Sequence, residues 1–212
     1  MRWQHPERGL LTPDQFLPAA ESTGLILELD QSMLRQACEK IVDLNTRFHR
    51  IEPLILTVNL SSLHFLSDKS TAALEAIILA SQIDPNWLRI ELNHHAEGAT
   101  VEILQRLSQL HVRLNISTTE ELPDLTRFAA DRVKLPGNLV RGLSTGRNLE
   151  RVRAIISMAQ RQNMQVVAEG VESLEQLAIL RELKCHLAQG FYFTQPASAS
   201  DTERLLARSP RW

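Results

Sequence analysis

Short β-rich runs alternate with longer segments of helical period along almost the whole chain, and no other feature constrains its fold as tightly. The runs expected as strands cover residues 54–60, 88–93, 112–117, 132–135, 164–169 and 186–193. Between them, Met33, Leu34, Ala37, Cys38 and Ile41 recur at helical spacing, as do Val152, Ile155, Ile156 and Ala159, which marks core-facing helix stripes. Ser173 followed by Gln176 reads as a capping box opening a helix with Leu177 and Leu180 on its buried side. The preceding Glu169-Gly170-Val171-Glu172 is then a strand-to-helix turn. Six such units fit either an open doubly wound sheet or a (β/α)8-type barrel that is irregular at its start. No glycine-rich phosphate loop follows an early strand, which weakens the dinucleotide-binding form of the open sheet.

The pattern runs without a Pro/Gly/Ser-rich linker, charge block or repeat, so a single domain over residues 1–212 is the economical expectation. A chain of 212 residues that is 43% hydrophobic buries roughly 70–75% of its unfolded surface, enough for a core without cross-links. Its 23 Lys+Arg against 25 Asp+Glu give a formal charge of -2, which speaks against a nucleic-acid polymer as partner. Cys38 and Cys185 stand alone, without CxxC or Cys/His spacing, and read as two buried thiols. The first residues lack an apolar signal core and no run reaches the length of a membrane span, so no membrane insertion and a cytoplasmic location are expected.

In either fold, ligands gather at the C-terminal ends of the strands. The polar residues there are Asn59, Glu91, Ser117, Lys134, Glu169 and Gln189. Two carboxylates, an amide oxygen and an ammonium on one rim have the chemistry to hold a hard divalent cation and place a water, because such cations favour oxygen ligands.

The order of these residues and their neighbours resembles a known family. Arg2-Trp3-Gln4-His5-Pro6-Glu7-Arg8-Gly9, Val58-Asn59-Leu60-Ser61, Val166-Val167-Ala168-Glu169-Gly170-Val171-Glu172 and Leu187-Ala188-Gln189-Gly190 resemble successive motifs of EAL domains. Those are bacterial cyclic-di-GMP phosphodiesterases with a TIM-barrel-like fold, and the resemblance extends from Arg2 to about Pro196. It implies a TIM-barrel-like (β/α)8 fold here, irregular at the first strand. It also implies metal ligands at Asn59 and Glu91, a lysine near the attacking water at Lys134, and the carboxylate of the sixth-strand turn at Glu169. Ligand-side groups fall on Glu172 and Gln189, and Arg2, matching the arginine that closes the signature ExLxR, faces a phosphate of the dinucleotide.

The departures from that pattern carry the functional expectation. The signature glutamate belongs four residues before Arg2, and this sequence begins at Met1, so that ligand and most of the first strand are expected to be missing. Glu-Leu-Thr-Glu of the third strand becomes Glu91-Leu92-Asn93-His94. Two adjacent aspartates become Ser117-Thr118, followed by Thr119-Glu120-Glu121, and the acid two positions after the lysine becomes Pro136. A two-cation centre needs anionic ligands to hold both metals and acidify the water between them. Neutral hydroxyls at Ser117 and Thr118 do not replace those charges. His94 and His95 are read as solvated or core-edge residues rather than rescuing ligands, and Glu120 and Glu121 as first-turn acids of a helix.

The resulting expectation is a catalytically impaired regulatory domain of bacterial signalling that acts through protein–protein interaction, with Lys134 and Glu169 vestigial and the metal site at Asn59 and Glu91 incomplete. The alternatives are a non-hydrolysing cyclic-di-GMP receptor using Arg2, Glu172 and Gln189, and a weak metal-dependent phosphodiesterase. No tightly bound cofactor is expected, with Mg or Mn required if the site is active. An uncovered barrel edge also favours a homodimer, beside a protein partner that the sequence does not name.

Overall fold

The computed structural model describes residues 1–48, 51–92, 113–117 and 130–208. The chain divides into two compact units, Met1–Val112 and Arg113–Trp212.

The first unit opens with a short hairpin. Strands β1 (Trp3–His5) and β2 (Gly9–Leu11) pair antiparallel in a hairpin of their own. His5 holds the turn: its Nδ1 accepts from the backbone N–H groups of Glu7 and Arg8 at 3.1 and 3.2 Å. Helix α1 (Pro13–Ser22) starts at a capping box in which the Gln15 side-chain oxygen accepts from the Thr12 N–H at 2.9 Å, followed by α2 (Ile26–Phe48). The expected stripe on α2 is present, with Leu34, Cys38 and Ile41 buried and Met33 and Ala37 on its half-buried border. Strand β3 (Leu56–Leu60), a 3-10 turn at Ser62–Phe65, α3 (Asp68–Ala80) and β4 (Leu88–Leu92) follow. β3 and β4 are parallel, with Leu56 opposite Leu88 and Asn59 opposite Glu91. β3 begins at Leu56 because the Asn45 side chain of α2 engages both peptide groups of Leu54, accepting from its N–H at 2.7 Å and donating to its carbonyl at 3.1 Å. Those groups are thereby withdrawn from the sheet.

The second unit is a run of parallel strands with helices between them: β5 (Arg113–Ser117), β6 (Ala130–Leu135), β7 (Gln165–Glu169) and β8 (Leu187–Gln189), each paired with the next. Helices α4 (Gly137–Arg141) and α5 (Leu149–Arg161) lie between β6 and β7, α6 (Leu174–Glu182) lies between β7 and β8, and α7 (Ala199–Ala207) follows. Val152, Ile155, Ile156 and Ala159 of α5 are all buried, as their period predicts, in one core with Val133, Leu135, Val166 and Ala168 of the strands. Each fully buried Val, Leu or Ile side chain here contributes about 1.5–3 kcal/mol.

Five of the six expected strands differ from the observed ones only at their ends. β7 starts one residue late because the Met164 N–H donates to the Ala159 carbonyl and closes α5. The last strand, expected to reach residue 193, stops at Gln189, where the chain turns and the Phe193 N–H donates to the Gly190 carbonyl at 3.1 Å. Asn93 and Val112, at the ends of two expected strands, lie outside the described residues. Among the described residues no helix is long and apolar enough to cross a membrane.

Candidate functional site

Every polar residue collected from the sequence stands at or one residue before the C-terminal end of a parallel strand. Asn59 and Glu91 are penultimate in β3 and β4, Lys134 is penultimate in β6, and Ser117, Glu169 and Gln189 close β5, β7 and β8. Ladder register places them side by side within each unit: Asn59 opposite Glu91 in the first, Ser117 opposite Lys134 and Glu169 opposite Gln189 in the second.

In the second unit the Lys134 ammonium lies 3.3 Å from the Glu169 carboxylate. Lys134 is buried, its side chain 7% exposed, whereas that of Glu169 is 44% exposed and reaches the surface. A buried ammonium needs such a counter-charge, since removing one partner leaves the other desolvated. Glu169 is also on the wall of a cleft of about 490 Å³, together with Glu172, Gln189, Asn138, Arg141 and Phe191.

Two close backbone approaches shape that cleft. A Cβ on Gly190 would lie 2.2 Å from the Val171 carbonyl oxygen and 2.3 Å from its nitrogen, so only glycine fits there. The contact is reinforced by the Val171 N–H donating to the Gln189 carbonyl and the Tyr192 N–H donating to the Val171 carbonyl, both at 3.0 Å. The turn after β7 is thus laced to the end of β8. On its other side Gly170, at φ +72°, comes so near Gly137 that a Cβ would sit 3.2 Å from the Gly137 Cα. Ser173 and Gln176 then fix the exit of the turn. The Ser173 hydroxyl accepts from the Gln176 N–H at 3.2 Å, and the Gln176 side-chain oxygen accepts from the N–H groups of Glu172 and Ser173 at 2.7 and 3.2 Å. Glu169 and Glu172 are therefore held on a rigid turn whose geometry was readable from Ser173 and Gln176.

In the first unit Asn59 is exposed and lines a cleft of about 500 Å³, whereas Glu91 is buried. The backbone after Asn59 is fastened by buried Asp30 of α2, whose carboxylate accepts from the Ser61 N–H at 2.8 Å. His64 is completely buried with Nε2 3.4 Å from the same Asp30 oxygen. Arg2 is exposed just before β1, and its guanidinium donates to the Met1 carbonyl at 2.9 Å.

The structure thus joins Glu169, Glu172 and Gln189 in one cleft, with Lys134 against Glu169. It sets Asn59 beside Glu91 in register, and puts Arg2 at the start of the first unit. Thr118, Thr119, Glu120, Glu121, His94 and His95 lie outside the described residues. Asn138, Arg141 and Phe191 were missed. They come from α4 and from the loop after β8, and a search confined to strand ends does not reach them. The signal available was Gly190 followed at once by an aromatic residue, and a short helix following the lysine strand.

A pair of magnesium or manganese ions requires several anionic oxygens. Asn59 and Glu91 offer one neutral and one anionic donor, and no group of three or more His, Cys, Asp or Glu gathers among the described residues. The described donors do not fit a two-cation centre.

Parallel βα units with polar residues at the C-terminal strand ends are the arrangement of α/β proteins that bind ligands at that end of the sheet. The EAL domain family model matches residues 1–196, and the chain belongs to that family. It is 36% identical over 97% of its length to "Cyclic di-GMP phosphodiesterase NbdA" of Pseudomonas aeruginosa, of which it covers 27%. It is 31% identical over 98% of its length to "Bifunctional diguanylate cyclase/cyclic di-GMP phosphodiesterase MucR" of the same species, covering 31%. The chain spans about a quarter to a third of the length of these curated relatives. Among solved structures, the PaMucR phosphodiesterase in complex with c-di-GMP superposes with a TM-score of 0.86 at 30% identity, covering 95% of this chain and 84% of that one. The EAL domain of FimX from Pseudomonas aeruginosa, bound to c-di-GMP, gives a TM-score of 0.81 at 22% identity over 92% of this chain and 81% of its own, a likeness of fold. The fold class is the TIM-barrel-like (β/α)8 fold of these EAL domains.

Proposed function

We propose that this chain is a regulatory EAL domain that binds cyclic di-GMP and hydrolyses it slowly or not at all. One observation carries the reading. The cleft with Glu169, Glu172 and Gln189 is built and rigid, and Lys134 is paired at its edge, while the residue in register beside Lys134 is the neutral Ser117. A ligand-binding wall is kept and an anionic ligand position is not. Thr118, His94 and Pro136 remove acid from three further positions of the family pattern. Without those charges, two cations beside Lys134 lack the neutralisation that makes a bridging water acidic enough to attack a phosphodiester.

In this reading the family's chemistry is reduced to recognition, and the domain's output in bacterial signalling is a contact with a protein partner that senses whether the nucleotide is bound. The receptor form of the reading takes precedence over partner docking alone because the cleft is a defined structural object. Calorimetric titration with cyclic di-GMP in the presence of Mg²⁺ tests it. A saturable heat at one ligand per chain is the expected result, and the absence of heat at millimolar ligand would remove the proposal.

A further inference from the structure

Two residues on the cleft wall have no part in the family-derived set, and their chemistry is complementary. Arg141 closes α4, is exposed, and has no carboxylate partner or side-chain hydrogen bond among the described residues. By contrast, the nearby Lys134 is already committed to Glu169 at 3.3 Å. A guanidinium on the same cleft wall as two carboxylates, yet ion-paired with neither, is available to an incoming anion. Its planar fork suits phosphate oxygens in a bidentate arrangement.

Phe191 is the second. It directly follows Gly190, whose backbone is locked against Val171, so its position is fixed by the rigid lacing of β8 to the turn after β7. The residue is nevertheless 56% exposed and on the cleft wall, while the neighbouring Tyr192 and Phe193 rings pack edge to face on each other at 5.4 Å. Leaving an aromatic ring in water has no stabilising return for the fold. It does suit a nucleobase, which stacks on any aromatic face. The remaining wall supplies the polar edge such a base needs, from Glu172 and Gln189.

We propose that Arg141 and Phe191 form a nucleotide half-site in the second unit, Arg141 taking a phosphate and Phe191 stacking the attached purine. This rests on the cyclic-di-GMP reading above and deepens it, because it moves anion recognition from Arg2 to a residue within the same cleft as Glu172 and Gln189. The cleft volume of about 490 Å³ suits one nucleotide of the pair.

The test is titration of the whole chain with cyclic di-GMP in Mg²⁺, comparing wild type with Arg141→Gln, Phe191→Leu and Phe191→Trp. Both residues are exposed, so melting temperatures should stay at the wild-type value and serve as the folding control. Arg141→Gln and Phe191→Leu are each expected to raise Kd roughly tenfold. Phe191→Trp, which keeps a stacking face, is expected to hold wild-type affinity, an outcome a purely steric role for the ring would not give. If wild type binds and both Arg141→Gln and Phe191→Leu bind equally well, the half-site is wrong and the receptor reading stands. If wild type itself shows no binding, the receptor reading falls and takes the half-site with it.

Discussion

A single methyl group at Gly190 would collide with three backbone atoms of Val171, and none can move without dragging the turn that carries Glu169 and Glu172. Overpacking of this kind costs roughly 1–3 kcal/mol or somewhat more. Gly190→Ala should therefore lower the melting temperature by about 2–10 °C for a chain of this size. A thermal melt unchanged from wild type would show that the turn is looser than its contacts indicate. The two thiols allow a second prediction at this scale. Cys38 is completely buried and burial pushes its thiol above the ordinary range; Cys185, expected to be buried, is only partly so, yet burial still raises its thiol. A raised pKa leaves less thiolate at neutral pH, and thiolate is the reactive form. Iodoacetamide at pH 7.5 should label neither residue of the folded chain on the timescale on which both react in denaturant. Rapid labelling of Cys185 in the native protein would contradict this.

Elements were read well where periodicity and caps agree. The α5 stripe at Val152, Ile155, Ile156 and Ala159 and the Ser173–Gln176 box both stand as the sequence indicates. Boundaries were less legible, because they are set by contacts distant in sequence. Asn45 intercepts the peptide groups of Leu54 and delays β3, and the lacing of Gly190 to Val171 ends β8 early. No local pattern encodes either event. The cap on α6 has a measurable share in holding the site. Ser173→Ala should cost about 1 kcal/mol, a fall in melting temperature of roughly 2–4 °C. Because Gln176 still accepts from the Glu172 N–H, cyclic-di-GMP affinity in the same variant should change less than threefold. A larger loss would mean that the Ser173 hydroxyl, not Gln176, positions Glu172.

For the molecule as a whole, the family was legible because its motifs are short, ordered and tied to strand ends, where the fold itself concentrates ligand chemistry. Glu169, Glu172 and Gln189 were found this way and share one wall. Arg141, Asn138 and Phe191 were not, since helix and loop residues join a rim through tertiary placement that strand patterning does not register. The functional claim turns on charge: Ser117 and Thr118 are neutral, and Glu169 is engaged by Lys134. Restoring acid is thus expected to move the chain toward catalysis, and the double variant Ser117→Asp/Thr118→Asp should bind Mn²⁺ more tightly than wild type by calorimetry. Equal affinity would show that charge at these positions is not what limits the metal. The most direct measurement follows wild-type chain incubated with cyclic di-GMP and Mg²⁺ or Mn²⁺, resolving cyclic from linear dinucleotide by chromatography while bound ligand is quantified in the same samples. Saturable binding with linear product forming slowly or no faster than in buffer is expected, and turnover on the order of 1 s⁻¹ or more, an ordinary enzymatic rate, would overturn the receptor reading.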